Sequence, residues 1–266
     1  MLNTGHRPRK RFGQNFLHDP AVIERIVHAI NPRIGERLVE IGPGLGALTR
    51  PLLAAAGRLD VVEIDRDVIP LLQESCAGYG ELHIHNLDVL KFDFTSLATE
   101  HALRVIGNLP YNISTPLIFH LLEQLHVIRD MHFMLQKEVA ERMAAAPNTD
   151  DYGRLSIMVQ WRCTVDVLFN VGPGAFKPAP KVESAVVRLT PHRQAPVLVK
   201  DEKRFAGLVN QAFSQRRKTL RNALKGLLTA EEIASLAIDP MRRPETLSLA
   251  EYALLSNAAN NEKSER

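Results

Sequence analysis

Four segments of the chain hold residues whose types and spacing could do chemistry, and the first of them is rich in glycine. Gly42, Gly44 and Gly46 follow a short strand-like run, Val39–Ile41. Glycine at the end of a strand lets the backbone turn tightly and approach a ligand closely. Three glycines in five residues therefore predict a ligand-binding turn, with Gly42 and Gly44 beside the ligand.

Glu63 adds a carboxylate to this predicted site. It lies about 20 residues beyond the glycines, at the end of the next predicted strand, where an acid would accept hydrogen bonds from ribose hydroxyls. Gly42, Gly44 and Ala47 also satisfy the relaxed fingerprint of a dinucleotide-binding turn. These residues alone leave a nicotinamide dinucleotide open as the ligand.

Asp88 favours S-adenosylmethionine over a dinucleotide. It follows the third predicted strand, where its carboxylate could accept a hydrogen bond from an adenine amine. Acids after the second and third strands, with a glycine-rich turn after the first, are the usual arrangement for S-adenosylmethionine. That ligand has no pyrophosphate, so it does not need a helix N-terminus aimed at a phosphate.

The fourth segment, Asn108-Leu109-Pro110-Tyr111, follows the fourth predicted strand, which ends at the ligand crevice of a doubly wound sheet. The amine of adenine attacks poorly because its lone pair is delocalised into the ring. The amide oxygen of Asn108 and the carbonyl of Leu109 could accept its N–H groups and stabilise charge that develops on nitrogen. Pro110 would fix the loop and Tyr111 would stack on a flipped-out base. The segment therefore predicts methyl transfer to an adenine amine.

An alternation of short strands and longer helices must position these residues. Strands are predicted at 38–41, 61–64, 82–84, 105–106 and 133–135, and helices at 48–56, 68–76, 116–124 and 139–146. This order predicts an α/β fold with a doubly wound, mostly parallel, Rossmann-like sheet. Two further strands, 165–171 and 184–190, complete a first domain that spans residues 1–190.

A second, smaller domain follows a linker at 191–196 that contains two prolines. No strong strand pattern appears beyond it, and helices are predicted at 205–213 and 220–228. Two pairs have the capping-box spacing that begins a helix: Thr229 with Glu232, and Ser248 with Glu251. We therefore expect a small all-helical domain over residues 197–266.

The composition is that of an ordinary soluble globular protein, with 45% hydrophobic and 24% charged residues among 266. It excludes a disordered, collagen-like or disulfide-stapled chain. Cys76 and Cys163 form no C-x-x-C pair, so a reducing cytoplasm is the expected location. No apolar run approaches the roughly 18 residues of a membrane span, and no signal peptide is expected. His83 and His85 lack a partner at metal spacing, so no metal site is predicted.

The net charge of +3 conceals two basic segments. Residues 1–11 hold four basic residues and no acid, and residues 200–226 hold eight basic residues and two acids. The other 228 residues therefore carry a net charge of −7. Two separate basic runs on an acidic remainder favour a polyanionic partner.

Six segments carry a resemblance to a known family. The resemblance runs from residue 10 to about residue 225, and the segments stand in the family's order and at its spacing. They are Phe12–Leu17, Val39–Gly46, Val62–Asp65, Asn108–Tyr111, Leu135–Arg142 and Phe176–Ser184. These segments resemble the small-subunit (16S) ribosomal RNA adenine dimethyltransferases of bacteria. The resemblance implies the class I methyltransferase fold and S-adenosylmethionine as the cofactor.

The resemblance also implies how the cofactor is held. Asn15 and Leu17 would close over it from a basic N-terminal arm. Gly42 would contact its carboxypropyl end, Glu63 its ribose hydroxyls and Asp88 its adenine amine.

For the target base, the resemblance implies that Asn108 lies at the point of methyl transfer, in contact with the cofactor as well. Tyr111 and Phe176 would sandwich the adenine. Stacking of this kind contributes about 1–3 kcal/mol per base.

The substrate that the resemblance implies is a pair of adjacent adenosines near the 3′ end of 16S ribosomal RNA, in an immature small subunit. Four methyl transfers would complete the product, and the chain is expected to act as a monomer. Phosphate contacts would then come from the basic run, and those predicted are Arg216, Arg217, Lys218 and Arg221.

Alternative functions stay open. A 23S ribosomal RNA adenine methyltransferase of the antibiotic-resistance type would share the glycine-rich turn and the acceptor motif, whereas 176–184 and 215–221 favour the small-subunit enzymes. A non-catalytic ribosome assembly factor would not need Asn108 or Tyr111. A nicotinamide dehydrogenase with a Tyr-x-x-x-Lys motif is disfavoured because position 115 is Thr.

Overall fold

The structure is a computed structural model that describes residues 15–259. The N-terminal basic segment and the beginning of the motif Phe12–Leu17 lie outside the described residues. Contacts divide the chain into two compact units, each made from two stretches of sequence. The first consists of 1–140 and 165–191, and the second of 141–164 and 192–266.

A seven-stranded sheet forms the centre of the first unit. In chain order the strands are β1 (Phe16–Leu17), β2 (Arg37–Ile41), β3 (Arg58–Val62), β4 (Glu81–His85), β5 (Leu103–Asn108), β6 (Ile128–Gln136), β7 (Cys163–Val171), β8 (Phe176–Lys177) and β9 (Ser184–Pro191). The sheet has the order β4-β3-β2-β5-β6-β9-β7, and β1 pairs separately with β8. Neighbours from β4 to β6 are parallel, and β9 is antiparallel to β6. The predicted doubly wound, mostly parallel sheet is confirmed.

Three helices connect parallel strands of the sheet: α2 (Thr49–Ala56) runs from β2 to β3, α3 (Ile69–Cys76) from β3 to β4 and α4 (Ser114–Leu122) from β5 to β6. Helix α1 (Pro20–Ile30) precedes β2, and α5 (Lys137–Ala144) follows β6. Pro51 is the third residue of α2, where its missing N–H removes no helical hydrogen bond. The central strands are buried on both faces, as in Val39, Leu103 and Phe133, which are 0% exposed. This burial explains why the strands read as nearly continuous apolar runs.

Helix α1 was not predicted, although the chain carries the signals for its start. Asp19 accepts hydrogen bonds from the main-chain N–H groups of Ala21 and Val22, at 2.9 and 3.2 Å. Pro20 occupies the first helical position, which suits its fixed φ angle. Asn31 ends the helix in a left-handed conformation.

The second unit is built from helices. They are α6 (Arg154–Arg162), α7 (Glu202–Ser214), α8 (Leu220–Ala223), α9 (Ala230–Ser235) and α10 (Leu249–Ala258). The predicted capping boxes at Thr229 and Ser248 are both present and begin α9 and α10. No helix within residues 15–259 is long and apolar enough to cross a membrane.

The second unit differs from the predicted domain 197–266 because residues 141–164 also belong to it. The Trp161 ring lies 4.9 Å from the ring of Phe205, and the Tyr152 hydroxyl donates to the carbonyl of Leu247 at 2.9 Å. These long-range contacts join α6 and the residues just before it to the C-terminal segment, and no local sequence pattern reveals them.

The helix predicted at 220–228 is wrong in length, since α8 ends at Ala223. Gly226 has a φ angle of 92°, which no residue of an α-helix adopts. The apolar spacing that suggested a longer helix continues instead through turns, in which Leu227 and Leu228 donate to the carbonyl of Leu224.

Candidate active site

The glycine-rich turn leaves the sheet directly after β2 and leads into α2. Gly42, Gly44 and Gly46 have φ angles of 64°, 54° and 86°, a conformation that glycine adopts without strain. A Cβ atom on Gly42 would meet no described atom within 4 Å, so this backbone borders open space where a ligand could lie. A Cβ atom on Gly44 would come within 3.0 Å of the Phe16 ring, so β1 packs directly on the turn.

Glu63 links the turn to the end of β3. Its buried carboxylate accepts hydrogen bonds from the main-chain N–H groups of Gly44 at 3.4 Å and of Asp65 at 2.8 Å. Each carboxylate oxygen has a second lone pair, so the group can still accept hydrogen bonds from ribose hydroxyls. Burial raises the pKa of Glu63 above its ordinary value, and the two N–H donors oppose this rise only in part.

Asp88 follows β4, the strand that neighbours β3. Its Oδ1 accepts a hydrogen bond from the main-chain N–H of Leu90 at 3.0 Å and so caps a 3₁₀ turn, Val89–Lys91. The second oxygen, Oδ2, is left as an acceptor for a ligand amine. Since β2 to β5 are parallel neighbours, their carboxyl ends bring the glycine-rich turn, both acids and Asn108 to one edge of the sheet.

Two apolar residues that sequence analysis did not single out lie beside these acids. Ile64 directly follows Glu63, and Leu87 directly precedes Asp88. The exposed fractions of Ile64 and Leu87 are 47% and 36%, whereas the apolar residues of β3 are buried and those of β4 are partly buried. They give this edge of the sheet the apolar surface that a base ring needs. An apolar residue adjacent to each acid was the signal that could have identified them.

Glu40 is a further buried carboxyl, on β2 two residues before Gly42. It is 2% exposed, and its Oε2 has no hydrogen-bond partner within residues 15–259. Burial raises the pKa of this carboxyl to about 8; the hydroxyl of Thr49 opposes the rise and the charge of Glu63 adds to it. Glu40 is therefore largely protonated at neutral pH, a property that its sequence context did not predict.

The acceptor loop begins with Asn108, the last residue of β5. Its Nδ2 donates a hydrogen bond to the main-chain carbonyl of Asn15 at 3.1 Å, which directs Oδ1 away from Asn15. The N–H of Leu109 donates to the carbonyl of Met134 at 2.9 Å and so holds the loop against the end of β6. The structure thus brings together two predicted site residues that are 93 positions apart, with Pro110 in the loop between Leu109 and Tyr111.

Tyr111 is half-buried, and a serine that sequence analysis did not assign holds its hydroxyl. The Oη atom of Tyr111 lies 2.8 Å from Oγ of Ser184, the first residue of β9, which is fully buried. Burial raises the pKa of Tyr111, although the hydrogen bond to Ser184 opposes this. Ser184 is the last residue of the motif segment Phe176–Ser184, and its place in that motif could have indicated a role in the site.

Leu17 and Phe176 meet on the ribbon formed by β1 and β8. They are opposite one another in the antiparallel register, and they are 6% and 4% exposed. Both belong to one apolar cluster that also contains Ile106 and Met134. Stacking of Phe176 on a base therefore requires its ring to leave this cluster, and that role stays a prediction.

The predicted RNA-contacting residues lie in the second unit, around the connection from α7 to α8. Arg217, Lys218 and Arg221 are exposed. Arg216 is half-buried and has structural contacts. It donates to the carbonyl of Thr149 at 3.3 Å, and its Nε lies 4.0 Å from a carboxylate oxygen of Glu245. Arg216 therefore differs from the other three in supporting the fold.

The sheet order and the glycine-rich turn define a Rossmann-like class I methyltransferase fold. A family model described as Ribosomal RNA adenine dimethylase matches residues 5–261, and the chain belongs to this family. Two similar curated proteins are both called Ribosomal RNA small subunit methyltransferase A. The one from Marinobacter nauticus is 58% identical, over 95% of this chain and 92% of its own length. The one from Pseudomonas aeruginosa is 60% identical, over 95% and 94%.

Solved structures agree with this assignment. A dimethyladenosine transferase from Plasmodium falciparum is 27% identical with a TM-score of 0.78, over 90% of this chain and 95% of that one. The 23S rRNA methyltransferase ErmE, 24% identical over 92% and 99% of the two chains, has a TM-score of 0.71 and shows the shared fold alone. The predicted family, dimethylation of adenine in ribosomal RNA and S-adenosylmethionine as the cofactor are confirmed.

Proposed function

We propose that the protein dimethylates two adjacent adenosines near the 3′ end of 16S ribosomal RNA, in an immature small subunit, and that it acts as a monomer. The observation that carries methyl transfer to an adenine amine is the hydrogen bond from Asn108 Nδ2 to the carbonyl of Asn15. Because that bond engages the amide nitrogen, the oxygen is the atom offered to an adenine amine. The names of the two similar curated proteins support the small subunit as the source of the RNA.

The residues at the carboxyl edge of the sheet fit the cofactor. S-adenosylmethionine supplies a methyl group that its sulfonium has already activated. We assign its carboxypropyl end to the open space at Gly42, its ribose to Glu63 and its adenine amine to Asp88. Gly44 orders Glu63 through its N–H group, and the segment with Asn15 and Leu17 covers the turn through the neighbouring Phe16 ring.

Asn108 and Leu109 act on the target amine. Oδ1 of Asn108 and the carbonyl of Leu109 accept its N–H groups, which localises the lone pair on nitrogen and stabilises positive charge as it develops there. The amine loses its proton after the methyl group has arrived, so the site needs no strong general base. Tyr111, oriented by Ser184, offers the stacking surface for the base. Phe176 is assigned to the other face of the base, which its ring reaches by leaving the apolar cluster.

Labelled S-adenosylmethionine and undermethylated small subunits test this function. We expect wild type to label 16S RNA, while Asn108→Ala and Tyr111→Ala fail to do so and Asn112→Ala, an exposed residue of the same loop, labels normally. Large subunits form the second arm. Labelling of 23S RNA instead would support the antibiotic-resistance type, and equal labelling by all variants would overturn the assigned site.

The basic run is tested separately. We assign Arg217, Lys218 and Arg221 to the RNA backbone and keep Arg216 as a weaker candidate because of its contacts with Thr149 and Glu245. Reversing the charge of the first three should weaken subunit binding and lower its salt dependence by about one unit per lost phosphate contact.

A matched triple reversal at exposed arginines of the same unit outside the basic segment makes the same change in charge. Its members are Arg154, Arg193 and Arg243. If both triples altered binding and the salt slope equally, the assignment to residues 217–221 would be wrong.

A further inference from the structure

Asn86 connects the two loops that carry the proposed cofactor acids. Its Nδ2 donates a hydrogen bond to the main-chain carbonyl of Glu63 at 2.7 Å. Its Oδ1 accepts a hydrogen bond from Nε of Arg66 at 3.1 Å. One amide therefore bridges the segment after β3 to the segment after β4, and it uses both of its polar atoms to do so.

The bridge lies where the backbone pairing of the two strands ends. The last register pair of β3 and β4 is Val62 with His85, and the N–H of Glu63 still donates to the carbonyl of His85 at 3.0 Å. Beyond that point the main chains separate, since the N–H of Leu87 turns back to the same carbonyl at 3.2 Å. The Asn86 side chain thus continues the pairing for one more step and holds the carbonyl of Glu63.

The residues on either side of this bridge are those assigned to the nucleoside. Glu63 and Ile64 lie on one side, and Leu87 and Asp88 lie on the other. The separation of the two loops decides whether one ligand can reach the ribose acceptor and the amine acceptor together. Hydrogen-bonding groups must be held within about 0.5 Å for such recognition.

We propose that Asn86, oriented by Arg66, is a positioning residue that sets the spacing between the ribose acceptor Glu63 and the adenine-amine acceptor Asp88, and thereby the selectivity for an adenine nucleoside. This inference rests on the proposed cofactor site. Arg66 and Asn86 are both exposed and so lie outside the hydrophobic core. Their hydrogen bonds therefore hold the two loops.

The test variant is Asn86→Asp, which keeps the size of the side chain but cannot donate to the carbonyl of Glu63. We expect affinity for S-adenosylmethionine to fall about tenfold, the equivalent of one lost hydrogen bond in a partly buried site. KM for the cofactor should rise in parallel, while kcat at saturating cofactor and KM for RNA stay unchanged. Asn170→Asp, an exposed residue of the same unit, makes the same change in charge and should bind as wild type does.

Selectivity distinguishes a positioning role from loss of stability. Wild type should prefer S-adenosylmethionine to its hypoxanthine analogue, which lacks the adenine amine, and Asn86→Asp should lose most of that preference. Arg66→Met should show a smaller loss in the same direction, because it only frees the amide to rotate.

Asp88→Ala separates failure of this inference from failure of the cofactor site. If Asp88→Ala keeps wild-type affinity and preference, the assigned adenine position is wrong. If Asp88→Ala loses them and Asn86→Asp keeps both, the site stands and the role of Asn86 is overturned.

Discussion

The two ends of the parallel sheet in the first unit differ in whether their buried carboxyl groups are paired with a basic residue. At the carboxyl end, Glu40 and Glu63 are buried without an ion pair in the described part of the chain, and burial raises the pKa of both. At the amino end, buried carboxylates are paired with arginine. The single strand β5 joins the two ends, since Arg104 lies near its start and Asn108 at its end.

Arg104 is the centre of the network at the amino end. Its Nε lies 3.0 Å from Oδ2 of Asp130, its Nη1 lies 2.7 Å from Glu36, and its Nη2 donates to the carbonyl of Ile30 at 2.6 Å. Burial would raise the pKa of Asp130, but the neighbouring His132 imidazole and the Arg104 charge outweigh it and lower that pKa. For Glu36 the bonds to Arg104 likewise outweigh burial and lower the pKa.

This difference means that the amino end of β5 contributes mainly to stability and its carboxyl end mainly to function. At the amino end, Arg104 of β5 and its partners join the end of α1, the residue before β2 and the start of β6. An unpaired buried carboxyl at the other end costs stability once it ionises. The carboxyl end leaves its acceptors available for a ligand, so removing residues there should affect activity more than folding. The amino end should behave in the reverse way.

The largest expected effect is at the amino end. Arg104→Met leaves Asp130, Glu36 and the carbonyl of Ile30 without their main partner, so the free energy of unfolding should fall by about 3–5 kcal/mol. Denaturant unfolding measures this, and the methylation rate per folded molecule should be unchanged.

The matched control for this prediction is Arg129→Met. Arg129 also contacts Glu36, at 2.7 Å, but its side chain is 59% exposed. An exposed pair contributes at most about 1 kcal/mol. Equal destabilisation by both variants would contradict the claim that burial of Arg104 is what matters.

The second effect is at the other end of β5. Asn108→Asp keeps an acceptor oxygen but cannot donate to the carbonyl of Asn15, so the acceptor loses its fixed orientation. The methyl-transfer rate should fall on the order of 10²-fold, the effect of removing one preorganised hydrogen bond at a reacting centre. Asn112→Asp changes the charge of the same loop and should not have this effect. Single-turnover rates on purified small subunits measure it, and a fall in unfolding free energy as large as that of Arg104→Met would contradict the comparison.

The sequence predicts the carboxyl end of the sheet far better than the amino end. Glycines, acids and the acceptor segment follow strands at fixed spacing, so local patterns indicate where Gly42, Glu63, Asp88 and Asn108 lie. The structure brings them to one edge because parallel strands end together. Their individual roles stay predictions.

Contacts between distant segments could not be predicted. The bond from Asn108 to Asn15 spans 93 positions, that from Tyr111 to Ser184 spans 73, and that from Arg104 to Ile30 spans 74. No periodicity or turn signal encodes such pairs, because they arise only when the elements pack. For the same reason α6 was not predicted to belong with the C-terminal helices.

The third prediction concerns pH and Glu40. Its pKa is about 8 in the folded protein and 4.5 in its ordinary state, so the folded protein keeps a proton that the unfolded chain has released. Stability is therefore lost as pH rises between these values, at up to about 1.4 kcal/mol per pH unit. From pH 6 to 7.5 wild type should lose about 2 kcal/mol relative to Glu40→Gln, which does not titrate.

The comparison between the two curves isolates Glu40, since every other titrating group is shared by both proteins. The lowered pKa values of Asp130 and Glu36 act in a different range, because their stabilisation is lost only as pH falls below the ordinary values of these groups. Parallel curves for wild type and Glu40→Gln would show that Glu40 is ionised at neutral pH.

The smallest expected effect tests the hydrogen bond between Tyr111 and Ser184. Ser184→Ala leaves the half-buried hydroxyl of Tyr111 without its partner, so kcat/KM for RNA should fall about 3- to 10-fold, the equivalent of one neutral hydrogen bond. Tyr111→Phe removes the other half of the same bond and keeps the stacking ring. If Ser184 acts by orienting Tyr111, the double variant should be no worse than the poorer single variant, whereas additive losses would mean that the two side chains act independently. Affinity for S-adenosylmethionine should stay at the wild-type value in all three variants, because neither hydroxyl lies among the groups assigned to the cofactor.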